Sequence, residues 1–239
     1  IFVKKAGKNT ESKIFLHDLY GTRKFKYDFL IENNITSIPW VELKPDGENH
    51  LFCEFNNKLH NEYLTSFSLT ELFIENGAGT QTKRDKLFVE IEKKDLEDRM
   101  KKMLSLGFTT QEKTDYNIKD SSSYRLLDKI QNSNFNENLI RKYNYRPFDD
   151  RYIYYDPSLL GRAFYNIMQH QLQENIGLIT CRQQSSFTFQ HCMVTKEVTD
   201  HNSISLQTRE ASYFFPLYLY SEPKLEEGLW ERVNRTPNL

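Results

Sequence analysis

The run Leu139-Ile140-Arg141-Lys142-Tyr143-Asn144-Tyr145-Arg146-Pro147-Phe148-Asp149-Asp150-Arg151-Tyr152-Ile153-Tyr154-Tyr155-Asp156-Pro157 decides how this chain is read. Leu139–Tyr145 alternates apolar and basic residues. Tyr152–Tyr155 is aromatic and β-branched, which predicts a strand, and Asp156-Pro157 turns it. Downstream, 160–172 predicts a helix with Phe164, Ile167, Met168 and Leu172 inward. Strands are predicted at 176–181 and over the aromatic segment 212–220, with weaker candidates at 187–194 and 203–206. Upstream, Tyr124–Gln131 predicts a short helix, and 109–124, with Ser121-Ser122-Ser123, a polar loop and a sub-boundary. In 95–106, Leu96, Met100, Met103 and Leu104 recur at helical spacing, and Gly107 is the stop. Alternation of Leu87, Val89 and Ile91 predicts a strand over 85–91.

Towards the start, 69–76 is apolar and acidic and runs into Asn76-Gly77-Ala78-Gly79, and 51–55 is a further apolar stretch. Pro45-Asp46-Gly47 signals a turn, 38–43 a strand entered by Pro39, and 23–33 a short helix with Phe25, Phe29 and Leu30 on one face. Ile1–Val3 and Lys13–His17 predict two strands of a hairpin across a lysine-rich loop. Short mixed sheets with about four helices place the chain in the α+β or mixed α/β class.

The chain has 239 residues, enough for one large domain or two small ones. Hydrophobic residues make up 38% and aromatics 14%, which argues against a disordered chain, and the net charge of −1 excludes a generically basic nucleic-acid coat. A nucleic-acid site must therefore be local. One local asymmetry exists: Lys4 to Lys26 carries an excess of five positive charges. Three scattered cysteines fit neither a disulfide framework nor a four-cysteine zinc site, so a reduced, cytoplasmic setting is expected. No apolar run is long enough to cross a membrane. The chain opens within a strand-like run and closes without a terminal element, so it reads as a piece of a longer protein.

The sequence holds no dinucleotide or phosphate loop, no H-E-x-x-H, no G-x-S-x-G, no C-x-x-C and no Asn/Asp-Pro-Pro-aromatic tetrad. Asp85 with Glu92 and Lys94 can be forced into a metal-nuclease pattern, but a solvated charged junction explains the same residues. His191 and His201-Asn202 show no ligand spacing. What remains is positive charge among aromatics and amides: Thr80–Asp85 after a glycine turn, Arg141, Lys142, Arg146, Arg151 and Arg162 around the Tyr-rich strand, and Arg182–Ser186 after a strand end. Arg reads guanine, Gln or Asn reads adenine, and Ser, Thr and Lys meet phosphate. The rival reading is that these are ordinary surface charges, with Arg146 and Arg151 paired to Asp149 and Asp150.

Several of these runs together resemble one family. They are Tyr145–Asp156 with Leu159-Leu160-Gly161-Arg162, Ile176–Gln183, Phe214–Tyr220, Gly79–Asp85 and the opening Ile1–Lys5. They are similar, in order, to the C-terminal specificity region of single-chain Type ISP restriction–modification enzymes with an N6-adenine methyltransferase. The resemblance implies that 1–33 ends the methyltransferase domain and that 34–239 is a target-recognition domain for double-stranded DNA. It implies that the catalytic tetrad and the S-adenosylmethionine loop lie upstream, with ATP and Mg²⁺ serving the parent enzyme, so that this piece is non-catalytic and has the upstream methyltransferase domain as partner. Loop placement selects Thr82, Lys83, Arg84, Arg182, Gln183 and Gln184 as DNA contacts, with Arg146 and Arg151 beside them and Lys4, Lys5 and Lys8 for phosphate. A scaffold module that does not touch DNA, and the metal-dependent nuclease, are the alternatives.

Overall fold

In the computed structural model the described residues are 13–44, 53, 57–120, 124–185, 188–207, 209–221, 225–226, 229–230 and 234–239. The chain divides into two compact units, Ile1–Phe67 and Ser68–Leu239.

In the first unit, β1 (Ile14–Leu16) is followed by α1 (Arg23–Glu32), β2 (Val41–Leu43) and α2 (Asn57–Leu64). The expected strand at 1–3, the turn at 45–47 and all of 51–55 but Cys53 lie outside the described residues. β1 pairs antiparallel with β2, Phe15 opposite Glu42. That ladder spans the expected 33/34 boundary, and the division falls at 67/68. α1 starts where predicted because the Thr22 hydroxyl accepts from the Phe25 N–H. It buries none of its residues; Leu30 is 60% and Ile31 82% exposed.

The second unit runs α3 (Leu69–Leu72), β3 (Gly77–Ala78), α4 (Asp85–Phe88), β4 (Val89–Glu90), α5 (Lys93–Leu106), α6 (Thr110–Asp115), α7 (Leu126–Gln131), β5 (Ile140–Arg146), β6 (Asp149–Tyr154), α8 (Tyr165–Met168), β7 (Gly177–Cys181), β8 (Cys192–Thr195), β9 (Val198–Thr199), β10 (Ser212–Pro216), β11 (Tyr218–Tyr220), β12 (Leu225–Glu226), β13 (Leu229–Trp230) and β14 (Arg235–Pro237). Two four-stranded sheets, ordered β4-β6-β5-β9 and β3-β10-β7-β8, carry it. β5 and β6 form a hairpin with Arg146 opposite Asp149 and a register shift between Asn144 and Arg146. At its tip Phe148 takes φ 60° and is 95% exposed.

The core is aromatic. Tyr143, Tyr154, Tyr155, Phe88 and Phe214 are buried with Leu87, Leu96, Met100, Ile153 and Ile179. Tyrosine serves there because each hydroxyl finds a partner: Tyr143 gives to Asp200, Tyr155 gives to the Ala163 carbonyl (2.9 Å), and Tyr154 accepts from the Asn136 N–H (3.0 Å).

Several expectations are corrected. Residues 85–91 are not one strand: Leu87, Phe88 and Val89 are buried in succession, which alternation cannot do, and the Leu87 and Phe88 N–H groups close a helical turn on the Arg84 carbonyl. The expected helix 160–172 is helical only from Tyr165, because Gln81 and Arg162 exchange backbone hydrogen bonds and Phe164 turns left-handed at φ 49°. The loop 109–124 holds α6, capped reciprocally by Thr109 and Glu112. The segment 203–206 forms no strand; the chain pairs earlier, at β9. The aromatic run 212–220 is two strands in two sheets, broken where the Leu217 N–H turns to the Ile176 carbonyl. Eight α-helices occur among the described residues, against the four expected.

Candidate nucleic-acid interface

β3 and β7 both pair antiparallel with β10. They therefore run in the same direction on either side of it, roughly 10 Å apart at two strand spacings. Ala78 faces Tyr213 and Cys181 faces Ser212, so the segments that follow, 79–85 and 182–185, leave the sheet at one end. The two loops singled out in the sequence are thereby brought together. The Arg182 guanidinium lies 6.0 Å over the Tyr213 ring, on the strand between them.

The first loop is held along its length. Thr80 N–H donates to the Thr199 carbonyl (2.7 Å), and the Thr80 carbonyl accepts from His201 N–H (2.9 Å). On the other side Gln81 and Arg162 exchange bonds of 2.8 and 2.9 Å, and Gly161 N–H reaches the Thr82 carbonyl. A Cβ on Gly79 would stand 2.4 Å from the Asp200 carbonyl oxygen. The close approach that Gly79 permits is thus to the protein's own backbone.

Most of the polar side chains here are turned inward. Thr82 is buried, its hydroxyl donating to Asp85 and accepting from Arg84 N–H. Arg84 gives its guanidinium to the Lys83 and Lys119 carbonyls at 2.7 and 3.1 Å and lies over Tyr124. Arg146 bridges Asp200 (2.8 Å) and Asp85 (3.2 Å). Arg151 clasps Asp149 with two nitrogens, and the Arg146 and Arg151 guanidinium carbons lie 3.7 and 4.3 Å from the Tyr145 ring centre. The internal pairing weighed as a rival holds for Arg151 with Asp149, whereas Arg146 pairs with Asp200 and Asp85, partners that sequence distance had hidden.

Lys83, Arg182 and Gln183 differ: all three are exposed. Lys83 takes φ 64° and lies against Gly161, where a Cβ would overlap its side chain. Gln184 is exposed as well. Lys4, Lys5 and Lys8 lie outside the described residues. A cleft of about 360 Å³ opens beside Lys83, lined by Gln81, Asp85, Asp200, His201 and Asn202. The amide Asn202 and the imidazole His201 are the additions to this edge. Only the pairing of 199–201 with Thr80, which no local spacing announces, puts them there.

A buried carboxylate serves each loop, Glu210 directly at Ser185 and Asp200 through Arg146, which also reaches Asp85. Asp200 accepts from Tyr143 Oη, Arg146 and Asn202 N–H. Burial raises its pKa to about 6 against the pull of those donors. The hydroxyl of Tyr143 is itself pushed far up by burial. In the second loop Glu210 accepts from Ser185 N–H (2.6 Å), the Ser185 and Ser205 hydroxyls and His191 Nε2 (3.0 Å). Hydrogen bonds from Ser185 and Ser205 lead in lowering its pKa to about 2.

The nuclease alternative finds no support in this geometry. Asp85 is spent on Thr82, Tyr145 and Arg146, and no group of three metal-ligating side chains occurs among the described residues. No described helix is long and apolar enough to cross a membrane.

The second unit is thus a mixed α/β unit with two adjacent, scaffold-held polar loops at one sheet end. The chain belongs to the Type ISP C-terminal specificity domain family, whose model matches residues 71–239. Among curated proteins none matches by sequence. Solved structures share the fold, three of them with the following values. A DrdV–DNA complex matches at TM-score 0.58 and 16% identity, over 95% of this chain and 24% of that one. A nuclease-deletion mutant of the Type ISP restriction–modification enzyme LlaGI, in complex with a DNA substrate mimic, matches at 0.57 and 18%, over 95% and 19%. The ATP-dependent Type ISP enzyme LlaBIII bound to DNA matches at 0.53 and 16%, over 84% and 14%. The chain thus spans about a quarter or less of each of those chains.

Proposed function

We propose that this chain is the double-stranded-DNA target-recognition module of a restriction–modification adenine methyltransferase. The observation that carries the reading is the delivery of two polar loops at one end of the β3-β10-β7-β8 sheet, with Lys83 exposed on one and Arg182 and Gln183 on the other. Exposed cations and amides on rigidly held loops are what base edges and phosphates require. Family membership and three structural relatives solved with DNA support it. Thr82, Arg84, Arg146 and Arg151 shape this surface, while Lys83, Arg182, Gln183 and Gln184 meet DNA. Lys4, Lys5 and Lys8 are kept as phosphate contacts on their charge alone. The module itself performs no chemistry. S-adenosylmethionine, and ATP with Mg²⁺, would serve other domains of the parent enzyme. The preceding methyltransferase domain would be the partner that covers α1.

Selection from a random-sequence duplex pool tests the reading. Wild type should enrich one short motif, Lys83→Ala or Arg182→Ala should relax it at particular positions, and circular dichroism should be unchanged. Enrichment of no motif by wild type would overturn it.

A further inference from the structure

A second concave surface, away from both loops in sequence, is lined by Lys93, Arg141, Lys142 and Lys196. It measures about 370 Å³, and Tyr152, Gln171, Gln173 and Glu197 are among its other lining residues. Four cations meet there on a chain whose net charge is −1. Lys93 is paired with Glu137 at 2.9 Å. Among the described residues, however, no ion pair within 4 Å holds Arg141, Lys142 or Lys196, although Glu197 borders the same cleft. Four other arginines of this unit, Arg99, Arg125, Arg146 and Arg151, each sit on a carboxylate.

The backbone explains why the cleft exists. β9 is two residues long and pairs with β5 only at Tyr143 and Asn144. Beside Arg141 and Lys142 that edge of β5 has no strand partner, and the turn Lys196-Glu197 stands across the gap. Gln171 adds an independent sign. Its side chain is buried, its amide nitrogen reaches the Thr195 carbonyl at 3.4 Å, and its oxygen has no hydrogen-bond partner. A buried amide oxygen left this way is costly unless a donor, such as phosphate-bound water, completes it.

We infer that this cleft seats the phosphodiester backbone of duplex DNA, with Arg141, Lys142 and Lys196 as phosphate ligands that carry no sequence information. The inference rests on the target-recognition reading above and extends it to a second contact. Arg141 and Arg146 are five residues apart on one strand, roughly 16 Å, which is the rise of about five base steps. A duplex read by the loops near Arg146 would then have backbone to spare for the far end of β5.

The test compares wild type, Arg141→Gln/Lys142→Gln/Lys196→Gln and the single variant Lys142→Gln by fluorescence anisotropy on a selected duplex and a scrambled one, from 50 to 300 mM salt. Each lost phosphate contact removes about 0.9 from the slope of log K against log salt. The triple variant should bind both duplexes more weakly by one factor, with a slope shallower by two to three, and should enrich the same motif as wild type. Lys142→Gln, a single surface change, should move the slope by about one and guards against a folding defect in the triple. Wild-type affinity and slope in both variants would overturn the cleft while leaving the recognition reading standing. A wild type that binds no duplex at all would overturn both. Motif loss in the triple variant would also overturn the inference, because it would make these residues readers.

Discussion

The loops after β3 and β7 leave one sheet end side by side, yet they are built differently. The first is stitched to 199–201 on one flank and 161–162 on the other by backbone hydrogen bonds, and Arg146 links its Asp85 to Asp200. The second is tied through Ser185 to Glu210. Asp200 and Glu210 are both buried carboxylates, and they answer protons in opposite ways. Asp200 sits where burial outweighs its donors, so its pKa rises to about 6. Glu210 is met by enough N–H and O–H donors to hold its pKa near about 2. Desolvation dominates at Asp200 and donated hydrogen bonds dominate at Glu210, and the sign of each shift follows from which is larger.

Removing one of these carboxylates should break this contrast most strongly. Asp200→Ala strips a partner from Tyr143 and half-buried Arg146 and should cost about 3 kcal/mol at neutral pH, read by urea unfolding. The loss should fall on the first loop, seen as faster amide exchange at 80–84 with 182–185 unchanged. Equal exchange in both loops would mean they share one anchor.

The pH dependence sharpens the comparison next. An acid whose folded pKa is raised stabilises the fold fully below its unfolded value of 3.8 and loses that contribution as pH rises through about 6. Glu210 does the reverse: its contribution is present above 4.5 and is lost as pH falls towards about 2. In urea titrations, Asp200→Asn should abolish the part of the wild-type change between pH 4 and 6, and Glu210→Gln the part below 4.5. Identical profiles for the two variants would refute the assignment.

A smaller effect is expected at Gly79. A Cβ there meets backbone at 2.4 Å, so Gly79→Ala should cost about 1–3 kcal/mol in thermal unfolding. The smallest concerns the exposed tips. Arg182→Ala should change stability by less than about 0.5 kcal/mol, whereas Arg84→Ala, which gives up two carbonyl bonds, should cost about 1 kcal/mol. Reversed sizes would mean that Arg182 is structural.

Local pattern made part of this legible. The α5 helix, its Gly107 stop and the strands at 152–155 and 176–181 follow from spacing and punctuation that neighbours reinforce. Pairing between distant segments was not legible. Nothing near Thr80 announces Thr199, so the inward turn of Thr82 and Arg84 and the arrival of His201 and Asn202 stayed hidden. The break of 160–172 at Phe164 came from a partner eighty residues away, Gln81. The cap at Thr109–Glu112 was written plainly as a T-x-x-E motif and could have been read. For the site, charge and glycine marked two loops, and only the common partner β10 explains why they meet.

That shared strand has a consequence for how such a surface can diversify. β3 and β7 are each locked in register on β10 before their loops begin, and each loop has its own anchor, backbone bonds to 199–201 and 161–162 for the first and Glu210 for the second. Residues can be added to or exchanged in one loop without displacing the other. Two short tracts can therefore drift independently on a constant frame, and combinations of the two multiply the surfaces one scaffold can present.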